Sequence, residues 1–232
     1  MSLVRRLQAK TAAVITRTES HPAYRLFFDP ADPLGQAGTA ALLRNILLQS
    51  AHFGDHMTEA VFTAIGRFPK NKPQRMKPLV EQVLDEVFHP ELAGRDFVRM
   101  GGDPKLLEPA NVSPAAFVVA AVCRMLSERH SPFSYLGFVA LMESTTPILT
   151  ERLMPVLEKH GLARGSKFVP LHATEDHAHA ATLWEEIGKV AETFPGAEPA
   201  VEFGFDALAL VYPTLIWDEA LRLTKAEGFG KE

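Results

Sequence analysis

His172, Asp176 and His179 stand at i, i+4 and i+7 in the segment LHATEDHAHA, residues 171–180. On a helix each residue advances about 100° around the axis, so these three side chains share an arc of about 60°. Two imidazoles and a carboxylate then converge on one point, a set that holds divalent iron or a similar ion and leaves coordination positions open. His177 faces away from that arc. A second ion needs further ligands, and two other segments offer them. Glu86 and His89 form an E-x-x-H pair, and spacing of i, i+3 is how helical bundles present a carboxylate and an imidazole to one cluster. Glu143 lies in FVALMESTTP, deep in an apolar helix where a carboxylate is costly unless it meets a cation or a strong donor. The six residues Glu86, His89, Glu143, His172, Asp176 and His179 carry three carboxylates. With neutral imidazoles these offset three of the four charges of two ferrous ions, and water or a substrate carboxylate supplies the rest.

The elements that must position this set read as helices throughout, because apolar residues recur at helical spacing and alternating β-branched runs are scarce. The first helix is expected over residues 3–18, followed by a loop, residues 21–36, with three prolines. A long second helix starts near Gly38, turns Leu42, Leu43, Ile46, Leu47 and Phe53 inward, and is expected to kink near Gly54. The third runs from about Met76 through Leu79, Val83, Leu84 and Val87 towards Met100. Pro90 predicts a break or bend at His89, since proline gives no backbone donor and restricts the residue before it. Ser113 caps a fourth helix with proline in its first turn. A fifth begins in SPFSYLGFVALMEST, is expected to kink or end at Pro147, and resumes to His160. The helix of the opening motif continues through Trp184 and Ile187 to about Thr193, and one last amphipathic helix covers residues 201–225. This is an all-α chain, read as a single domain over residues 1–232 without internal repeats.

Composition narrows the function classes. The 232 residues are 47% hydrophobic, enough for a sizeable core. The reading finds no apolar run near the length of a bilayer span, so no membrane partner is expected. A formal charge of -4 and a pI of about 6.1 give no electrostatic reason to expect nucleic acid. The amino terminus, MSLVRRLQAKTAAV, lacks the features of a secretory signal, and a cytoplasmic address is expected. Cys123, the lone cysteine, sits in AAFVVAAVCRML and reads as a small buried hydrophobe. A small-molecule substrate is the expected partner.

E-x-x-H, then an isolated glutamate in a helix opening SYLGFVALME, then H-x-x-x-D-x-x-H, in that order, resembles the heme-oxygenase-like di-iron oxidases and oxygenases. These are relatives of the TenA and PqqC proteins and of the Chlamydia protein associating with death domains. HPELAGRDFVRMGGDP is similar in style to the same family. The resemblance implies a seven-helix heme-oxygenase-like bundle, two Fe(2+) ions between core helices and reductive activation of dioxygen as co-substrate. The activities it implies are N-oxygenation, oxidative fragmentation or decarboxylation of amino and fatty acids, and self-sacrificing formation of p-aminobenzoate. It also implies a homodimer as the family's common state; the electron donor is unassigned. Family members differ in the spacing within the third helix, so Glu81, eight residues before His89, competes with Glu86.

Other readings stand beside this one. A metal-independent TenA- or PqqC-like enzyme of the same fold would place a cysteine or tyrosine nucleophile in the pocket, and a non-catalytic interaction protein would tolerate loss of ligands. Arg44 and Arg124 are candidate partners for a substrate carboxylate. His21, His52, His56, His130, His160 and His177 read as surface or hydrogen-bonded residues, with His52 and His56 the pair able to line a pocket. Glu175, Glu185 and Glu186 read as a solvated charged stretch, of which Glu186 alone shares the motif face. Phe53, Phe117, Tyr135 and Trp184 read as core.

Overall fold

Two long helices organise the chain, and the remaining helices pack on them so that the acidic and histidine segments meet between the two. The computed structural model describes residues 1–71, 74, 77–174 and 176–230, and every regular element among them is helical. In order these are α1 (Leu3–Glu19), α2 (Pro22–Leu26), α3 (Gly35–Gly66), α4 (Lys77–Glu86), α5 (His89–Arg99), α6 (Pro114–Arg129), α7 (Ser134–Lys159), α8 (Phe168–Thr174), α9 (Asp176–Thr193), α10 (Ala197–Ala209) and α11 (Thr214–Ala226), with two 3-10 turns, Pro104–Leu107 and Pro109–Asn111, before α6. The expected positions of Met76 and Glu175 lie outside the described residues. One layer centres on α3, which packs against α5, α6 and α11; the other centres on α7, which packs against α8, α9 and α10.

Local chemistry explains most boundaries. Ser2 Oγ accepts from Arg5 N at 3.4 Å and Ser113 Oγ from Ala116 N at 3.1 Å, the side-chain caps that start α1 and α6. The stretch expected as a loop after α1 contains the short α2, because His21 Nδ1 accepts from Ala23 N at 3.2 Å and Pro22 fits the first helical position. The expected single last helix is two. Pro213 cannot donate to the Ala209 carbonyl, so the chain turns between α10 and α11, and Arg17 donates to that carbonyl instead at 2.6 Å. Pro147 neither ends α7 nor divides it. Flanking Thr145 and Thr150 hydroxyls return to the Leu141 and Thr146 carbonyls at 2.7 and 2.8 Å, and both sides of the helix are buried by neighbours.

The seat of α7 depends on two glycines. A Cβ at Gly137 would stand 1.9 Å from the Val201 carbonyl oxygen, and one at Gly204 would stand 2.0 Å from that of Ser134. Backbone therefore touches backbone where α7 crosses α10, two turns before Glu143. By length and composition the stretch Ala197–Ala226 is apolar enough to cross a membrane, an 18-residue window of it having a mean hydropathy of 1.3, contrary to the expectation that no such run exists. In the fold it is broken by the α10–α11 turn, and α10 is pressed onto α7. Two apolar clusters flank the site, one around Leu136, Phe138, Ile187 and Phe205, the other around Leu42, Leu47, Phe97 and Leu157.

Candidate metal centre

Four helix ends and one helix middle bring the six candidate residues together. Glu86 closes α4 and His89 opens α5, so the pair spans a helix break rather than one continuous turn. Pro90 is the reason: it has no N–H for the Glu86 carbonyl four residues earlier, and the break expected at His89 falls there. Glu143 comes from the interior of α7, His172 from α8, and Asp176 and His179 from the first two turns of α9.

The contacts are close. Glu86 Oε2 lies 2.5 Å from His89 Nδ1, and its other oxygen lies 2.9 Å from His179 Nδ1. His179 Nδ1 is 3.8 Å from Glu143 Oε2, and the His89 and His172 rings are 4.6 Å apart. These atoms fall into two groups, Glu86 with His89 and His172, and Glu86 with Glu143, Asp176 and His179; within each, one donor atom per residue lies within 4.8 Å of the others. Glu86 belongs to both. Donors held about 2 Å from a single ion sit at most about 4 Å apart, so small side-chain movements close either group on a cation.

Hydrogen bonding within the cluster is incomplete. Glu86 Oε1, His89 Nδ1, Glu143 Oε2 and His179 Nδ1 are buried without a partner in acceptable hydrogen-bond geometry, although several approach one another at ion-pair distance. Native interiors rarely leave buried polar atoms so, and cations seated in the two groups would satisfy all four between them. The donor set, imidazole nitrogen and carboxylate oxygen without thiolate, suits ferrous iron among the divalent metals. His172 has its orientation fixed independently: Nδ1 donates to the Phe168 carbonyl at 2.7 Å and the ring lies on Phe168 at 3.9 Å, which leaves Nε2 as the free lone pair.

Electrostatics agree with that reading. Burial acts to raise the Glu86 carboxyl, but His179 and His89 outweigh it and hold it down at about 2. Burial drives Glu143 well above the usual carboxylate range, reinforced by Glu86 and Asp176. Burial with the neighbouring His89 lowers His172 to about 4. His89, despite burial, is raised by Glu86, and His179 is raised first by its contact with Glu86. A carboxylate kept neutral beside other acids is the state that a bound cation reverses.

The cluster forms one wall of a cavity of about 130 Å³ whose other walls include Leu43, Leu47, Phe53, Leu149, Ile216 and Trp217. Its polar groups away from the cluster include Ser50, Thr146, Thr150 and Tyr212, and among the described residues no lysine or arginine lines it. This corrects the expectation for the arginines. Arg44 pairs with Glu227, and Arg124 with Glu59 and Glu128, so both guanidiniums are spent elsewhere. A smaller chamber of about 30 Å³ lies behind Glu86 and Glu143, walled by Leu79, Val83, Val139 and Tyr135.

Glu81 is turned outward, 61% exposed and 3.6 Å from Lys77, whereas Glu86 is in the cluster. His177 faces out towards Glu151, His130 stacks on Phe203, and His52 Nε2 meets the Leu106 carbonyl at 2.8 Å. Glu185 is exposed as expected, but Glu186 is buried with Lys189 Nζ at 2.6 Å. Phe117, read as core, is 64% exposed on the outer face of α6, and Phe53 lines the larger cavity. Leu84 is exposed as well. Cys123 is fully buried, its thiol pushed up to about 12 by burial, and it lines neither cavity. Sequence reasoning missed Tyr212 and Trp217; the signal available was Pro213, which ends α10 and brings both to the cavity wall.

Comparison with known proteins agrees with this architecture. A crystal structure of a domain of unknown function with a heme oxygenase-like fold from Shewanella denitrificans superposes with a TM-score of 0.82 at 16% identity, covering 100% of this chain and 97% of the other. A TenA homolog from Pseudomonas syringae pv. tomato superposes with a TM-score of 0.69 at 13% identity, covering 95% and 93%. These likenesses establish the heme-oxygenase-like fold. No curated protein matches the sequence. Residues 43–212, which span all six clustered side chains, match the family described as iron-containing redox enzymes. The chain therefore belongs to the iron-containing redox enzyme family, on a heme-oxygenase-like all-α fold.

Proposed function

We propose that this protein is a di-iron oxidase or oxygenase that uses dioxygen on a small substrate bearing an amine, amino-acid or carboxylate group. The observation that carries the reading is Glu86, common to both donor groups and therefore able to bridge two ions. Glu86, His89 and His172 would hold one ferrous ion, and Glu86, Glu143, Asp176 and His179 the other. Bound iron supplies the electrons and open coordination positions that dioxygen reduction requires.

The chain's own residues supply the rest. Glu143, buried and disfavoured as a free anion, becomes a ligand in which charge is matched rather than stranded. The Phe168 carbonyl fixes the tautomer of His172. Leu43, Leu47, Phe53 and Trp217 exclude water from the cavity and favour a substrate with an apolar body. With no lysine or arginine among the described residues of that wall, the substrate's polar end finds its partners at the cluster, at Thr146, Thr150 and Tyr212, or at both. The protein would work as a cytoplasmic, single-domain enzyme, in the dimeric state common in the family, with an electron donor still to be identified.

The test is anaerobic loading with ferrous iron followed by oxygen in the presence of a panel of amines, amino acids and fatty acids. About two irons per chain, oxygen uptake and a transient visible band whose decay one compound accelerates support the proposal. A chain that binds no iron yet turns over a substrate would move the assignment to a metal-independent enzyme of the same fold.

A further inference from the structure

Asp96 lies on α5 seven residues, two turns, beyond His89, and its carboxylate is completely buried. Among the described residues its hydrogen bonds go elsewhere than to the cluster. Its Oδ1 accepts from Arg99 at 2.6 Å, and its Oδ2 accepts from Ser166 Oγ at 3.1 Å, Lys167 N at 2.5 Å and Phe168 N at 2.7 Å. The last three belong to the start of α8, whose first-turn N–H groups have no partner inside the helix. A carboxylate from one helix thus caps the first turn of another. Ser166 Oγ adds its own cap to Val169 N at 3.2 Å.

This cap closes a loop through the centre. Phe168, whose N–H is held by Asp96, offers its carbonyl to His172 Nδ1 at 2.7 Å and its ring to the His172 imidazole. His172 in turn faces His89, with ring centroids 4.6 Å apart, and His89 is on the same helix and same side as Asp96. From α5 outward and back, the path is Asp96, Phe168, His172, His89. From this closed path we infer that Asp96 is the positioning residue for the His89–His172 half of the centre, setting the spacing of its two imidazoles without touching an ion. The inference rests on the metal-centre reading above. It is asymmetric, because the hydrogen bonds of Asp96 that cross to another element all run to the start of α8, on the His172 side of the centre.

The experiment compares wild type with Asp96→Ala, Asp96→Asn and Ser166→Ala in anaerobic titrations with cobalt(II), read by visible absorption, beside circular dichroism melting. Wild type is expected to take two tight equivalents. Asp96→Ala should keep one and bind the second about 10- to 100-fold more weakly, the range for loss of a residue that orients a ligand. Asp96→Asn, which retains an oxygen acceptor, should recover part of the loss, and Ser166→Ala should show a smaller loss at the same equivalent. If Asp96→Ala does not fold, the other two variants carry the test. A folded variant series binding both equivalents as wild type does, or losing both alike, overturns the inference. Nitrogen shifts of the His172 ring in metal-free protein give a separate measure: a changed tautomer or hydrogen bond in Asp96→Asn is expected, and an unchanged ring refutes the positioning role. Should wild type itself bind no cobalt, the metal reading fails while the ring measurement still decides what Asp96 does.

Discussion

Glu86 and Glu143 sit in the same local pattern, each four residues before a proline, Pro90 and Pro147. In both places the proline lacks the N–H that would bond to the glutamate's carbonyl. The outcomes differ. At Glu86 the helix stops and a new one begins at His89, while at Glu143 the helix runs on for sixteen further residues, to Lys159. The reason lies in the surroundings. α7 is enclosed by α8, α9 and α10 and fixed by glycine-mediated backbone contact, so packing keeps it continuous through a missing bond. α4 lies at the margin, with Leu84 in it and Phe88 just past its end 54% and 68% exposed, so packing encloses this stretch less than it does α7. The break falls within the site: it separates Glu86 from His89 in the chain, and their side chains meet across it at 2.5 Å.

The largest expected effect separates the two glutamates themselves. On the two-ion proposal, Glu86→Ala removes the carboxylate common to both groups and should bring iron content from about two per chain to near zero, whereas Glu143→Ala should leave one, as elemental analysis of reconstituted protein would measure. Equal losses from the two variants would remove Glu86 from its bridging role. Next comes Pro90→Ala, which restores the donor towards Glu86 and also removes the ring that packs within 2.7 Å of a Cβ placed at Gly54. Helicity by circular dichroism should rise as α4 and α5 join, and iron affinity should fall about tenfold through misplacement of the pair. An unchanged affinity would mean that the break is incidental.

Pro147→Ala offers the same restored hydrogen bond inside a helix already held by packing. Stability should change by no more than about 1 kcal/mol, and iron affinity by less than about twofold; a tenfold effect on iron would show that the loosened backbone at Glu143 matters as much as the break at Glu86. The smallest effect belongs to Glu81→Gln. With its side chain exposed beside Lys77, iron content should be unaltered and stability should stay within about 0.5 kcal/mol. Iron loss in this variant would reverse the choice between the two acids of α4.

The all-α class and the cap at Ser113 were legible because each depends on neighbours within about one helical turn, and the candidate ligands stood out by residue type and spacing. H-x-x-x-D-x-x-H announces a shared face by spacing alone, and an acid in FVALMESTTP announces a buried charge by composition. Pro213 was legible in principle as the end of α10, yet its weight was lost in an otherwise continuous apolar stretch. Exposure was less readable: Phe117 and Leu84 carry core-like side chains on helix faces that no other element covers.

What the tertiary structure alone decided is which of two prolines breaks its helix, which glutamate of α4 turns inward, where Arg44 and Arg124 spend their charge, and that Asp96 joins α5 to α8. Each of these turns on groups separated by dozens of residues, whose meeting depends on burial and backbone contact across the whole bundle. The sequence by itself determined the candidate ligand types and their spacing along the chain. The distance between helices, and with it whether those ligands can share an ion, belongs to the packing of α3 and α7 and of the helices laid on them.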